Sequence, residues 1–285
     1  MAKIGITGAT GQLGRLVVEK LKARIAADNL VALVRSPEKA VDLGIEVLAF
    51  DYSKPASLAE PLRGIEHLLL ISSNEVGQRK TQHEHVIRAA QRAGVKWVIY
   101  TSLLHADTST LSLAAEHLAT EETLKGSGIP YTILRNGWYT ENYLGSIVTA
   151  MTTGAVTGSA GTGKIASAAR ADYAEAAAVV LTSEDHQGKV YELAGDEAYT
   201  LTELAAEVSR QTEKNISYND LPEKGYAEVL KSLGVPEHFA QAIAGWDASA
   251  AKGDLFDDSH TLSRLIGHPT TSLAASVKNA IAKSA

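Results

Sequence analysis

The chain has 285 residues, with 27 Lys and Arg against 33 Asp and Glu, and its net charge of −6 gives no basic footprint for nucleic acid. It contains no cysteine, which excludes disulfides, thiolate catalysis and cysteine-ligated metal sites. No apolar run approaches the roughly 18 residues of a membrane span, and the first residues lack a signal-peptide pattern. We therefore expect a soluble, cytoplasmic protein that acts on a small molecule.

Seven short apolar or β-branched runs alternate along the chain with stretches of helical spacing. These runs are residues 4–7, 30–34, 45–50, 67–72, 96–101, 131–135 and 189–194. Strands that alternate with helices are typical of βαβ units, in which helices cover both faces of a parallel sheet. The pattern predicts an α/β fold with a doubly wound parallel sheet.

The C-terminal third of the sequence changes character. Residues 202–212 and 271–285 have helical patterns, and residues 222–253 are helical by composition. We expect one domain over residues 1–150. The remaining sheet and helix elements, with a small and mostly helical C-terminal lobe, are expected over 151–285. A cleft beside such a lobe is the usual place for a ligand.

A glycine-rich turn, TGATGQLG, follows the first predicted strand and opens an amphipathic helix near Gln12 or Leu13. Backbone N–H groups at such a helix N-terminus stabilise a pyrophosphate. Gly8 permits the tight turn, Gly11 lets the backbone approach the phosphates, and Gly14 lets helix and strand pack closely. The spacing differs from the usual G-x-G-x-x-G, but the flanking strand and helix favour a dinucleotide site over a plain turn.

The residue after the second predicted strand selects between the two nicotinamide dinucleotides. An acid at this position bonds the ribose 2′-hydroxyl of NAD, whereas an arginine accommodates the 2′-phosphate of NADP. Arg35 occupies it, 21 residues after Gly14, and a guanidinium can bind phosphate through two parallel hydrogen bonds. The sequence therefore predicts NADPH as the cofactor of the domain over residues 1–150.

Two other patterns resemble nucleotide or metal sites. Residues 158–164 match the G-x-x-x-x-G-K phosphate loop, but Ile165 replaces the Ser or Thr that must hold Mg²⁺, and no hydrophobic strand precedes the motif. We interpret it as a turn before an edge strand, followed by Asp172 as the cap of an alanine-rich helix. His83 and His85 point to different helix faces, which favours a solvated helix start over a metal site.

The Tyr-x-x-x-Lys pair of most short-chain dehydrogenases is absent from the sequence. In that pair the lysine lowers the tyrosine pKa for proton exchange with an alcohol or carbonyl, so ordinary alcohol–ketone interconversion has no obvious machinery. Reduction of a quinone needs no strong protein acid, since a hydroxyl, an imidazole or water can supply protons. Candidate residues to line the substrate follow the sixth predicted strand: Asn136, Trp138, Tyr139 and Asn142. Core packing is the alternative role of Trp138.

The stretches GATGQLG, YTSLLHAD and PYTILRNGWYTENY, together with Arg35, resemble the NmrA-like atypical short-chain dehydrogenases. The resemblance extends over nearly the whole chain. It is closest to bacterial NAD(P)H:quinone oxidoreductases of the second type, with triphenylmethane dye reductases more distant. It implies a Rossmann domain with a small C-terminal lobe, and an NADPH-dependent, flavin-free reduction of quinones by two electrons. We expect no metal site.

The resemblance also implies roles for individual residues. Those expected to hold the pyrophosphate and the 2′-phosphate are Gly8, Thr10, Gly11, Gln12, Leu13 and Arg35. Those expected along the adenine, the ribose and the nicotinamide are Asp51, Tyr52, Ser72, Ser73, Gln78, and Thr101 or Ser102. His117 stands where related members carry an active-site lysine, four residues before Glu121. It is either a proton donor to the reduced quinone or an exposed helix residue.

A non-catalytic redox sensor is the alternative function. The same family contains proteins that bind NADP(H) and report its redox state to a partner without turning over a substrate. Such a sensor should fill the space over the nicotinamide, or present a partner surface near residues 74–82. A sugar epimerase shares the glycine turn but needs the missing Tyr-x-x-x-Lys pair. The expected partner is a small-molecule quinone, and no sequence pattern indicates an oligomeric state.

Overall fold

The computed structural model describes residues 2–284 as an α/β fold. Its strands are β1 (Ile4–Thr7), β2 (Leu30–Val34), β3 (Glu46–Ala49), β4 (His67–Leu70), β5 (Trp97–Leu103), β6 (Tyr131–Asn136), β7 (Ala155–Gly158), β8 (Val190–Leu193) and β9 (Ser217–Asp220). Its α-helices are α1 (Gln12–Lys22), α2 (Arg79–Ala93), α3 (Ala114–Gly126), α4 (Leu144–Thr153), α5 (Arg170–Thr182), α6 (Leu201–Thr212), α7 (Glu223–Ser232), α8 (Glu237–Ala250), α9 (Thr261–Ile266) and α10 (Leu273–Ser284). Among these residues, no helix is both long and apolar enough to cross a bilayer.

Seven of the strands between residues 2 and 284 form one sheet, in the order β3-β2-β1-β4-β5-β6-β8. Neighbouring strands pair in parallel, and Ile6 of β1 lies opposite Ala32 of β2 and Leu69 of β4. The strand order reverses between β1 and β4. At such a switch point the loops that follow the strands open a crevice for a ligand. The predicted doubly wound sheet is confirmed, and every run predicted from the sequence is one of its strands.

The sheet is buried because its central strands are apolar along their whole length. In β2, the run LVALV is buried at every position. A continuous run of this kind is typical of a parallel strand that is covered on both faces. One core cluster includes Val31, Leu33, Leu68, Leu70 and Tyr100, each of them 0% exposed. Helix α1 packs against α5, and Lys20 Nζ lies 2.5 Å from Glu175 Oε2.

Residues 2–284 divide into two compact units. The first unit comprises residues 2–107, 113–136 and 170–192, and it contains β1 to β6, α1, α2, α3, α5 and β8 as far as Glu192. The second unit comprises residues 108–112, 137–169 and 193–284, and it contains the other helices with β7 and β9. The proposed NADP-binding domain over residues 1–150, with the remainder over 151–285, stays a prediction.

The second unit contains a small sheet that the sequence analysis missed. Strands β7 and β9 pair in parallel, with Ala155 opposite Ser217 and Gly158 opposite Asp220. Each strand has four residues, and β9 reads SYND, which is polar and mostly exposed. A polar run this short has no apolar alternation to reveal it. A short strand, β7, therefore leads into residues 158–164, where no hydrophobic strand was expected.

Several helix boundaries follow local sequence signals. Helix α6 begins with a capping box, in which the Glu203 N–H donates to Thr200 Oγ1 and the Thr200 N–H donates to Glu203 Oε2. The helical lobe predicted over 222–253 is present as α7 and α8. The final helix predicted over 271–285 is α10, and residue 285 lies outside the described residues. Asp172 lies in the first turn of α5, so its predicted capping position is wrong.

Candidate nucleotide-binding site

The glycine-rich turn joins β1 to α1 in the first unit. Gly8 has a φ of +59°, a left-handed conformation that favours glycine. Its carbonyl accepts a hydrogen bond of 2.9 Å from the Gly11 N–H. Gly11 is extended and is the N-cap of α1, so the first N–H groups of the helix have no carbonyl partner within it. Gly11 and Gln12 are exposed, and this helix end therefore suits an anionic ligand.

Two further residues predicted to hold the pyrophosphate flank Gln12. Thr10 is half-buried in the turn. Leu13 is 7% exposed and its side chain belongs to the core. Leu13 can therefore offer a ligand only its backbone, whereas Thr10 and Gln12 can also offer side chains.

Gly14 lies where the first turn of α1 meets the end of β1. A Cβ atom built at this position would lie 2.2 Å from the Gly8 carbonyl oxygen and 2.7 Å from Ala9 Cα. Both neighbours are backbone atoms of the turn, so neither can rotate away. The close packing of helix and strand predicted for Gly14 is present.

We expect Gly14→Ala to lower the free energy of unfolding by about 1–3 kcal/mol, because overpacking of a tight contact displaces backbone. Gly126→Ala is the matched control, since Gly126 also lies in a helix and no described atom lies within 4 Å of its added Cβ. Urea unfolding followed by tryptophan fluorescence measures both variants. Equal stability of the two variants would contradict the packing argument.

Arg35 directly follows β2, and 64% of its side chain is exposed. Its Nη1 donates a hydrogen bond of 2.5 Å to Glu75 Oε1. Glu75 belongs to the loop between β4 and α2, so the guanidinium at the end of one strand meets a carboxylate from another. Arg35 is predicted from the sequence as a functional residue, whereas its partner Glu75 is not.

Hydrogen bonds tie together residues at the carboxyl edge of the sheet. The Ile71 N–H donates to Thr7 Oγ1 at 2.9 Å, and the Ser72 N–H donates to Thr101 Oγ1 at 3.0 Å. The Tyr52 hydroxyl donates to the Ile71 carbonyl at 3.2 Å. These bonds fix the end of β4 between β1 and β5. They also bring three predicted site residues, Tyr52, Ser72 and Thr101, to one edge of the sheet.

Asp51 is half-buried and Gln78 is exposed, each of them outside the strands of the same unit. Asp51 Oδ1 accepts hydrogen bonds from the Ser53 N–H and Oγ, at 3.1 and 2.7 Å. These bonds, with the nearby Lys54, hold the pKa of the Asp51 carboxyl below its usual value. Gln78 is the N-cap of α2, and its N–H donates to the Glu75 carbonyl at 3.0 Å.

His117, the predicted proton donor, is 4% exposed on α3. Its Nε2 lies 3.3 Å from Arg79 Nη1, and its Nδ1 lies 2.8 Å from the Tyr100 hydroxyl. A guanidinium can only donate, so Nε2 accepts and Nδ1 carries the hydrogen. Burial, and then the charge of Arg79, hold the pKa of His117 well below its ordinary value, so the ring is neutral at pH 7. The alternative of an exposed helix residue is wrong.

His83 on α2 is fully buried and binds the loop that follows β4. Its Nε2 accepts a 2.9 Å hydrogen bond from the Ser73 N–H, and its Nδ1 lies 3.0 Å from Thr120 Oγ1. Burial lowers the pKa of His83 to about 3, so the ring stays neutral. The prediction of a solvated helix start is wrong for His83. It shares the buried face of α2 with Ile87 and Ala90, four and seven residues later.

A buried ion-pair cluster beside β5 and β6 was not predicted from the sequence. Glu121 is 0% exposed and accepts two 2.9 Å hydrogen bonds from the Arg135 guanidinium, with a third of 2.7 Å from Ser102 Oγ. Arg135 also lies 2.8 Å from Glu192 Oε1 and 3.0 Å from Asp107 Oδ1. Burial raises the pKa of Glu121, but the bonds from Arg135 and Ser102 outweigh it and leave the pKa below its usual value.

The predicted substrate residues fall in both units. Asn136 ends β6 in the first unit and is 4% exposed. Trp138, Tyr139 and Asn142 belong to the second unit, where Trp138 and Tyr139 are half-buried and Asn142 is exposed. The Trp138 ring meets Trp246 of α8 edge to face, with ring centroids 5.8 Å apart. Trp138 therefore has a packing partner as well as an accessible part.

Comparison with known proteins gives consistent matches. Residues 8–184 match the NAD(P)H-binding family of proteins. Quinone oxidoreductase 2 of Escherichia coli (strain K12) is 58% identical over 279 residues, which cover 97% of this chain and 98% of that protein. The crystal structure of an NADPH-dependent quinone oxidoreductase from Escherichia coli, complexed with NADPH, superposes with a TM-score of 0.96 at 57% identity. That superposition covers 98% of this chain and 99% of the other.

A dye reductase is a more distant match. The structure of Citrobacter sp. triphenylmethane reductase complexed with NADP(H) has a TM-score of 0.94 at 38% identity, over 97% of this chain and 99% of the other. The resemblance predicted from the sequence, nearer to quinone oxidoreductases than to triphenylmethane reductases, is confirmed. This chain belongs to the NmrA-like NAD(P)H-binding family.

Proposed function

We propose that this protein is an NADPH-dependent quinone oxidoreductase, which transfers a hydride to a quinone without a flavin. The observation that carries the proposal is the identity of 58%, over 97% of the chain, with quinone oxidoreductase 2. The structural likeness to an NADPH complex at a TM-score of 0.96 supports the cofactor. An exposed arginine directly after β2 supports NADPH over NADH, because an acid there would repel the 2′-phosphate.

We propose that the glycine turn and the start of α1 bind the pyrophosphate, while Arg35 binds the 2′-phosphate. The left-handed Gly8 and the exposed N-cap at Gly11 fit this role, since they present backbone N–H groups at an open helix end. When bound, NADPH supplies a hydride from its nicotinamide ring. The residues proposed along the adenine, ribose and nicotinamide are Asp51, Tyr52, Ser72, Ser73, Gln78 and Thr101.

Conversion of a quinone into a hydroquinone consumes one hydride and one proton. We propose that Asn136, Trp138, Tyr139 and Asn142 line the quinone, and that His117 is a source of the proton. The ring of His117 is neutral, so in this proposal it relays a proton. The Nδ1–H passes to the Tyr100 hydroxyl, whose own proton moves on toward the quinone, as Nε2 takes up another proton. Positioning of a reactant can supply several kcal/mol of the barrier reduction. We also propose that this NADPH- and quinone-using enzyme is cytoplasmic and binds no nucleic acid.

The test is an assay of the purified protein with NADPH and a simple naphthoquinone, with no flavin added. Loss of the reduced nicotinamide absorbance is followed over time and repeated with NADH. We expect rapid quinone-dependent oxidation, faster with NADPH than with NADH. Tight binding of NADPH without turnover on any of several quinones would contradict the enzyme and favour the redox sensor.

A further inference from the structure

The cation predicted to bind the 2′-phosphate already has an acidic neighbour within the chain. Arg35 Nη1 lies 2.5 Å from Glu75 Oε1, and both side chains reach solvent, at 64% and 40% exposure. In the usual dinucleotide fold, an acid or an arginine at the end of the second strand decides which cofactor binds. Here the two residue types occur together, with the arginine after β2 and the acid on the loop after β4.

Glu75 does not depend on Arg35 alone for its position. Its second carboxylate oxygen accepts a 2.7 Å hydrogen bond from Gln82 Nε2, and its N–H donates to Ser73 Oγ at 3.1 Å. The Ser73 hydroxyl in turn donates to Gln82 Oε1 at 2.6 Å. Gln82 is 7% exposed on α2, so the tether is anchored in buried structure. Glu75 therefore has anchors that do not depend on its pair with Arg35.

We propose that Glu75 is a specificity-determining residue, which competes with the 2′-phosphate for Arg35 and so reduces the preference for NADPH over NADH. The inference rests on the proposed NADPH site. A 2′-phosphate has to replace the carboxylate at the guanidinium, and it then faces the tethered negative charge of Glu75. A ribose with a free 2′-hydroxyl leaves the ion pair intact and can donate a hydrogen bond to the carboxylate.

Because Glu75 competes for Arg35, the variant Glu75→Gln should bind a ligand with a 2′-phosphate more tightly. We expect the dissociation constant of 2′,5′-ADP to fall about five-fold, which corresponds to the ~1 kcal/mol of an exposed ion pair. We expect the dissociation constant of 5′-AMP, which lacks the 2′-phosphate, to stay constant or rise. Isothermal titration calorimetry with these two ligands needs no turnover. A binding result therefore stands even if the quinone assay fails.

Two control variants separate this effect from general electrostatics. Glu38→Gln removes the same charge from an exposed position three residues after Arg35, and it should leave both dissociation constants within about two-fold. Arg35→Ala removes the group for which Glu75 competes. In that background, Glu75→Gln should no longer tighten 2′,5′-ADP by the same factor, and the double-mutant cycle measures the coupling. Glu75→Ala serves as a second variant that removes the carboxylate.

Three outcomes would overturn the proposal. Weaker binding of 2′,5′-ADP by Glu75→Gln and Glu75→Ala would mean that Glu75 positions Arg35 for the phosphate. Equal tightening of 2′,5′-ADP and 5′-AMP would mean that only the overall charge matters. An equal gain with Glu38→Gln would place the effect outside the Arg35–Glu75 pair. A selective gain for 2′,5′-ADP that depends on Arg35 would support it.

Discussion

Replacement of Arg35 with alanine should weaken NADPH binding by roughly 10- to 150-fold, while NADH binding should change by no more than about two-fold. A phosphate that accepts hydrogen bonds from a charged guanidinium gains about 1.5–3 kcal/mol from it. The structure favours the lower part of this range. The guanidinium has to leave the Glu75 carboxylate to bind the phosphate, and the loss of that ion pair offsets part of the gain.

The measurement is the dissociation constant of each cofactor, from the change in nicotinamide fluorescence on binding. Arg63→Ala is a suitable control, because Arg63 is also an exposed arginine of the first unit paired with a glutamate, Glu60. Its loss changes the net charge equally, but at a site with no predicted role. A similar loss of NADPH affinity in both variants would argue against a specific 2′-phosphate contact.

The second large effect concerns stability. Glu121→Gln should lower the free energy of unfolding by about 3 kcal/mol, the lower end of the range for breaking a buried ion pair. The variant leaves the buried guanidinium of Arg135 without its two-bond partner. Glu192 and Asp107 still face Arg135, which is why the upper end of the range is not expected. Urea unfolding of both proteins gives the difference directly.

The effect of Glu121→Gln should also depend on pH. The pKa of Glu121 lies below its usual value in the folded protein, so the ionised form adds stability above the pKa of the unfolded chain. This contribution is lost as the pH falls through the folded pKa, and the two proteins should therefore approach each other in acid. Glu84→Gln, which breaks the exposed pair with Arg88, should cost less than about 0.5 kcal/mol. A pH-independent difference would contradict the assignment to this ion pair.

The sequence was sufficient for the sheet because each of its strands is a short apolar run between helical patterns. The same signal fails for β9, which is polar and pairs with only one other short strand. The apolar pattern also fails to reveal the buried ion-pair cluster beside β5 and β6. Glu121 stands in the helical stretch AAEHLATEET, where a glutamate normally reaches solvent, and tertiary hydrogen bonds from Arg135 and Ser102 explain its burial.

The candidate site was predictable where a single residue type is required by local geometry. Gly8 and Gly14 are such positions, because a left-handed turn favours glycine at the first and a close backbone contact excludes a Cβ atom at the second. Glu75 and His83 could not be predicted in the same way. Each forms a side-chain hydrogen bond with a residue distant in the chain: Glu75 with Arg35, and His83 with Thr120. The spacing of residues within one segment carries no information about such pairs.

The path of the chain through the first unit has a consequence for its synthesis. The polypeptide leaves this unit after Asn136 and re-enters it at Arg170, to supply α5 and then β8. While a ribosome is still making the intervening residues, α1 lacks the helix α5 that packs beside it, and the outer edge of β6 lacks its neighbour. An unpaired strand edge and an uncovered apolar face invite association with other chains. The nascent first unit therefore passes through an interval with an unpaired sheet edge, and this interval closes only when β8 has emerged.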